Sequence, residues 1–255
     1  MRVAFVGKGG VGKSTVAGTF ARLLAQRGRD VLAVDCDPMP GLSFALGLPV
    51  QDVTIPASAV DEQPEGSVGP RFVLADGVDA VGAVERYATW GADGVRFLSF
   101  GKLRGNVSSH YHSQVAFRLI LESMPPDRFD LVGDRPAGTR QPFYGWARFA
   151  DTVVVVTDPS MKAMLTGRRL ARLREASWAP TRLVAVVNRS TGPQDLDRAA
   201  EITGLPVVAA LADDDAVAYA DRRGAAPLDA GAQGAFVVGV EQLVDVMCAL
   251  EEVAV

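Results

Sequence analysis

"RVAFVGKGGVGKST", Arg2–Thr15, decides how the rest of the chain is read. After Arg2, four apolar residues follow, two of them β-branched, the pattern of a buried strand. The strand runs at once into Gly7-x-x-x-x-Gly12-Lys13-Ser14, the spacing of a phosphate-binding loop, and a helical pattern opens immediately after it. Each residue type has a reason to be there. Gly7, Gly9, Gly10 and Gly12 let the backbone N–H groups, with those of Val11 and Thr15, curl around an oxyanion with no Cβ in the way. The helix that follows presents its positive N-terminal end to phosphate. Lys13 supplies a point charge between β- and γ-phosphates, and the Ser14 hydroxyl is placed to ligate Mg²⁺.

Outward from this loop, short apolar runs alternate with longer helical patterns. Residues 2–6, 30–35, 95–100, 129–134, 151–158, 182–188 and 205–211 read as buried strands. Helical periodicity falls near 14–27, 113–124, 160–176, 194–203 and 214–223, with a last helix near 234–252. That alternation predicts an α/β fold with a mostly parallel central sheet flanked by helices on both faces. The stretch 49–94, rich in Pro, Gly and acids at its start, reads as a surface excursion. The strand–helix rhythm resumes after it, so the expectation is a single domain over 1–255.

Composition narrows the function classes. Hydrophobic residues make up 48% and charged residues 22%, ordinary for a globular chain with a substantial core. A net charge of −4 gives no electrostatic case for nucleic acid or an anionic membrane as an obligatory partner. Cys36 and Cys248 are too far apart in sequence to suggest a disulfide framework or a zinc spacing. The N-terminus turns to glycine too soon for a signal peptide, and no uncharged apolar run approaches a membrane span, so a cytoplasmic protein is expected.

Lys8, just after the first glycine, gives K-G-G-x-G-K-[ST]. This resembles the deviant P-loop ATPases, which include nitrogenase iron protein, the MinD-type cell-division and ParA-type plasmid-partition ATPases, arsenite and tail-anchor ATPases, and metal-insertion ATPases. The resemblance implies ATP and Mg²⁺ as ligands, ATP hydrolysis, and an ATP-dependent homodimer in which Lys8 reaches the partner's nucleotide. Lys8 read alone is compatible with a solvated surface lysine.

Further segments follow in the family's order. "VLAVDCDPMP" matches its first switch, which implies that Asp37 orients or activates the attacking water and that Asp35 supports the Mg²⁺ shell or the loop. "FDLVGDRPAGT" matches hhhDxPAG, which implies that Asp134 accepts from a Mg²⁺-bound water or the loop hydroxyl and that Gly138 frees the second switch to move. Arg135 stands where the family has a small or hydroxyl residue. Asn188, ending "RLVAVVN", matches the asparagine set against adenine, and Asp214 matches the P-x-D position beneath the base.

The ends and middle of the chain separate the branches. The C-terminal "EQLVDVMCALEEVAV" is acidic, unlike a basic membrane-docking helix. Arg168, Arg169, Arg172 and Arg174 form the nearest candidate for DNA contact, yet such a helix also reads as a solvated face. "RFVLADGVDAVGAVERYATWGADGVRFLSFGKLRGNVSSHYHSQVAFRLILESM" resembles the middle of the carbon monoxide dehydrogenase nickel-insertion ATPase, a C-x-C included. Here that element is His110-Tyr111-His112, which holds both histidines of the chain. The likeness implies a maturation factor for a client metalloenzyme or other protein, with four imidazoles from two subunits holding Zn or Ni. An H-x-H in a polar loop also reads as ordinary surface, as a partner contact, or as an interface tuned by protonation. Ser113 is then a candidate cap for the helix beginning at Gln114.

Overall fold

The computed structural model describes residues 1–37, 41–49, 55–75, 77–99, 107–138, 149–177, 182–231 and 234–252, with the backbone alone at 107–110 and 175–177. Strand β1 (Arg2–Gly7) leads through the glycine loop into α1 (Lys13–Gln26), and β2 (Val31–Asp35) and the short α2 (Leu42–Ala45) follow. Next come β3 (Val60–Glu62), β4 (Phe72–Leu74), α3 (Ala80–Tyr87), β5 (Thr89–Trp90) and β6 (Arg96–Ser99). The second half runs α4 (Val107–Ser123), β7 (Asp130–Asp134), β8 (Thr152–Thr157), α5 (Met161–Ser177) and β9 (Arg182–Ser190). It ends with α6 (Gln194–Thr203), β10 (Val207–Ala212), α7 (Asp215–Arg222) and α8 (Ala235–Glu252).

Eight of these strands form one sheet in the order β10-β9-β8-β1-β7-β2-β6-β5. All its pairings are parallel except β5 against β6, the edge. Both faces are covered, as a parallel sheet requires. Along β1 the side chains alternate between two cores: Ala4 and Val6 join one, Val3 and Phe5 the other. Helix α1 buries Val16, Ala17, Phe20, Ala21 and Leu24, a three- and four-residue spacing that lays one stripe on the second core. Helix α8 does the same with Phe236, Val240, Leu243, Val244 and Met247. The first core is closed by α3 and α4.

The stretch 49–94 is in part exposed, at 64–71, and in part core. Ile55, Ala59, Val60, Phe72, Ala80, Ala83 and Val84 are buried in the first core, and β3 and β4 form a small antiparallel hairpin of their own. Its apolar residues come in groups of two or three separated by polar stretches, too short for a periodic signal, and the hairpin packs on α4. Helix α4 is a correction. It begins at Val107, so His110 and His112 sit within its first turns and Ser113 is not its cap. No proline or glycine interrupts 107–123, so the polar residues at its start are simply carried by the helix. The glycine-rich loop expected just before it, at 101–106, lies outside the described residues.

One strand residue is fixed by packing. A Cβ at Gly133, in the middle of β7, would stand 2.6 Å from Cζ of Phe149. The missing side chain is what admits that ring against the strand. Among the described residues no helix is long and apolar enough to cross a membrane. On α5, Arg168, Arg169 and Arg172 are exposed, in keeping with a solvated face.

Candidate nucleotide-binding site

The C-terminal ends of β1, β7 and β2 are tied together where the glycine loop leaves the sheet. Cys36 N–H donates to the Asp134 carbonyl at 3.0 Å, Arg135 N–H to Phe5 at 3.1 Å, and Gly138 N–H to Gly7 at 3.1 Å. Both expected switch segments therefore begin against the loop itself. Gly10 and Gly12 take φ of 83° and 88°, a conformation that costs other residues steric strain. At Gly12 a Cβ would also meet Asn188 Nδ2 at 2.5 Å.

Beside the loop lies a cavity of about 300 Å³. Gly10, Gly12, Lys13, Ser14 and Thr15 form one part of its wall; Gly41, Phe44, Arg189, Val217, Asp221 and Pro227 contribute to the rest. Its size is at the lower end for a small-molecule site. Lys13 is 8% exposed, so its ammonium works in a setting that screens charge poorly.

Asp134 is the electrostatic centre. It is 2% exposed, the Ser14 hydroxyl lies beside its carboxylate, and Oδ1 has no hydrogen-bond partner among the described residues. Burial drives its pKa up to about 6, against the opposing pull of the Ser14 hydrogen bond and of Lys13. An orphaned buried carboxylate oxygen beside a loop hydroxyl is suited to a divalent cation or to a water bound on one, so these residues fit Mg²⁺. Asp35 is pushed well above the usual carboxylate range by burial and by Asp134. Its two oxygens accept the N–H groups of Asp37, at 3.0 Å, and Leu42, at 3.1 Å. Of the two roles open to Asp35, the geometry displays loop support.

Other expected residues are placed differently from one another. Lys8 Nζ donates to its neighbour's carbonyl on Gly9 at 3.3 Å, on the exposed side of the loop. Asp37 is half-buried beside Asp134. Asn188 is buried and donates from Nδ2 to the Val11 carbonyl at 2.8 Å, so its amide braces the glycine loop and does not line the cavity. Asp214 caps α7 by accepting Ala216 N–H at 2.9 Å; it too is off the cavity wall, which α7 supplies through Val217 and Asp221. Arg189, with a left-handed φ of 55°, reaches back to Gly10 O at 3.2 Å and lines the cavity. Sequence reasoning missed Arg189, Phe44, Asp221 and Pro227. Only adjacency to Asn188 could have pointed to the first.

The H-Y-H segment lies elsewhere, against the β3–β4 hairpin. Phe72 meets Tyr111 and His112 edge-on, both at 5.5 Å, and His112 Nε2 is 3.8 Å from Glu62 Oε2. Tyr111 is exposed. Among the described residues no group of three His, Cys, Asp or Glu side chains stands where it could hold a metal ion. The side chain of His110 lies outside the described residues.

A strand, a glycine loop and a helix around an anion-ready pocket define the class of site, and the comparisons agree. Residues 3–228 match the family described as CbiA, the CobQ/CobB/MinD/ParA nucleotide binding domain. The chain belongs to that family. The fold is shared with MinD, the cell division ATPase of Pyrococcus furiosus, at 22% identity and a TM-score of 0.71, over 98% of this chain and 99% of that one. MinD of Pyrococcus horikoshii OT3, complexed with Mg-ADP, gives 19% identity and a TM-score of 0.71 over 99% and 98%. A ParA family ATPase from Chlorobium tepidum TLS gives 17% and 0.70 over 95% and 97%. The central sheet flanked by helices is thus the MinD/ParA arrangement.

Proposed function

We propose that this protein is a Mg²⁺-dependent ATPase that works as a dimeric switch. The observation that carries the reading is Asp134: a buried carboxylate with its pKa raised, beside the Ser14 hydroxyl and within the field of Lys13, with Oδ1 unpartnered among the described residues. Mg²⁺, when bound, neutralises charge on the β- and γ-phosphates. The glycine-loop N–H groups and Lys13 hold those phosphates. Ser14 and Asp134 hold the cation and its water. Asp37 orients the attacking water, and Lys8, exposed on the loop, stabilises phosphoryl charge on the partner's nucleotide. Asn188 and Asp214 serve the base end, the first by bracing Val11 and the second by setting the α7 terminus.

The test is hydrolysis of ATP with and without magnesium, with light scattering in MgATP against MgADP. The reading expects magnesium-dependent phosphate release and a dimer favoured by ATP. Equal mass in both nucleotides overturns the dimeric switch. Lys8→Ala is expected to keep ATP affinity and lose hydrolysis.

The narrower role we infer is maturation of a client metalloenzyme, with His110 and His112 of two subunits gathered around Zn or Ni. It rests on the resemblance of the middle segment to the nickel-insertion ATPase. A second reading, a positioning or regulatory ATPase whose dimer binds a protein partner or DNA without metal, is favoured by one observation: His112 is already engaged with Phe72 and Glu62 of its own chain. Metal content of the purified protein beside His110→Ala/His112→Ala separates the two. Equal content in both removes the histidine site.

A further inference from the structure

Arg135 follows Asp134 directly, yet its side chain takes no part in the nucleotide site described above. It leaves the strand end on the opposite side from Asp134, into the core that contains Cys36 and Phe149. Its exposure is 0%, and it heads the largest fully buried side chains among the described residues. A guanidinium stays charged in a protein, so a full positive charge sits inside the fold. Among the described residues no carboxylate hydrogen-bonds to it. Nη1 donates to the Cys36 sulfur at 3.2 Å, Cζ lies 5.5 Å from the Phe149 ring centre, and Nε and Nη2 have no partner.

Buried cations are normally paired, and orphaned buried donors are costly. Such a group persists where another conformation supplies what this one lacks. The two things Arg135 joins are informative. Cys36 lies between Asp35, which holds the first switch loop, and Asp37. Arg135 itself opens the second switch, whose Gly138 is bonded to Gly7 of the glycine loop. The backbones of the two segments already meet through Cys36 N–H on the Asp134 carbonyl.

We propose that Arg135 is a positioning residue that couples the two switch segments through the Cys36 thiol, and that its two unpartnered donors are satisfied in the ATP-loaded form. Its charge then biases the molecule toward that form, because only there is the guanidinium fully bonded. A small residue at this position leaves the two segments to respond to nucleotide separately. This rests on the ATPase reading above, and the experiment keeps the two apart.

Full-length wild type, Arg135→Ser, Arg135→Lys, Cys36→Ala and Arg135→Ser/Cys36→Ala are compared in two assays. The first is steady-state ATP hydrolysis, corrected for folded fraction. Arg135→Ser is expected to lower kcat by about tenfold, the loss of one or two charge-assisted hydrogen bonds, with KM for ATP changed less than about twofold. Arg135→Lys recovers part of kcat, Cys36→Ala lowers it in the same direction, and the double variant is no worse than Arg135→Ser alone. The second assay is hydrogen exchange of the peptide spanning Val31–Asp37, with and without MgATP. Nucleotide protects it in wild type and protects it much less in Arg135→Ser.

Unchanged kcat in Arg135→Ser, additive losses in the double variant, or equal protection of the peptide overturns the coupling. If Arg135→Ser does not fold, Arg135→Lys and Cys36→Ala decide it in the same two assays. Absent hydrolysis in wild type overturns the ATPase reading, whereas the exchange assay still tests Arg135.

Discussion

Strand β7 is bounded by two aspartates that live in opposite electrostatic conditions. Asp130, at its start, is 7% exposed and receives two hydrogen bonds from Arg29, at 2.6 and 2.7 Å, and one from the terminal amine. Burial pushes its pKa up, but those partners outweigh it and hold the carboxyl below its ordinary value. Asp134, four residues on, is as deeply buried, and burial wins there, carrying its pKa to about 6. The strand, sheet and residue type are the same, and only the partners differ. A buried carboxylate with its cation in place belongs to the scaffold, and one without it is free to serve another partner.

The most disruptive test of that contrast is Asp134→Asn. Hydrolysis should fall about a hundredfold or more, since a residue that fixes a metal's shell is lost. In magnesium-free buffer the same change should raise Tm by a few degrees, because a strained charge is removed. A lower Tm would show that Asp134 is structural. Asp130→Asn should do the reverse, destabilising the fold by about 1 kcal/mol, since Arg29 and the terminal amine then keep Glu251 as their remaining acidic partner, while hydrolysis per folded molecule stays the same.

The two aspartates also differ in the sign of their pH dependence. Asp134 has a raised folded pKa, so its contribution is fully present below the unfolded value and is lost as pH rises through about 6. Asp130, with a depressed pKa, contributes above the unfolded value and loses that as pH falls through its folded one. Magnesium-free melting between about pH 4 and 6.5 should slope downward for wild type and less steeply in Asp134→Asn, where Asp35 remains the raised carboxylate. The smallest effect is expected at Asn188→Ala, which frees the Val11 carbonyl and should weaken ATP binding by about threefold to tenfold, read by titration calorimetry.

The phosphate loop and the parallel strands were legible because each is written in consecutive residues. Asp35 and Asp134 were legible as strand ends, since each closes an apolar run, but not as charge states, which depend on what packs around them. The Phe72 hairpin was not legible: its buried residues are scattered among polar ones, and only α4 makes them a core. The same contact explains the H-Y-H error. Local polarity there suggested a loop, whereas Phe72 gives Tyr111 and His112 a surface to pack on as part of a helix. Arg189, Phe44 and the pair Asp221 and Pro227 meet at the cavity from three separate segments, a convergence that no window of sequence contains.

Gly133 has an evolutionary consequence. The ring of Phe149 occupies the space its side chain would fill, and the same ring lies beside the Arg135 guanidinium. A lineage that gains alanine at 133 must shrink or move residue 149, and the arginine two residues on then loses the neighbour that shields it. These three positions are bound to drift together, so a relative with a small residue at 135 is free to have a different pair at 133 and 149.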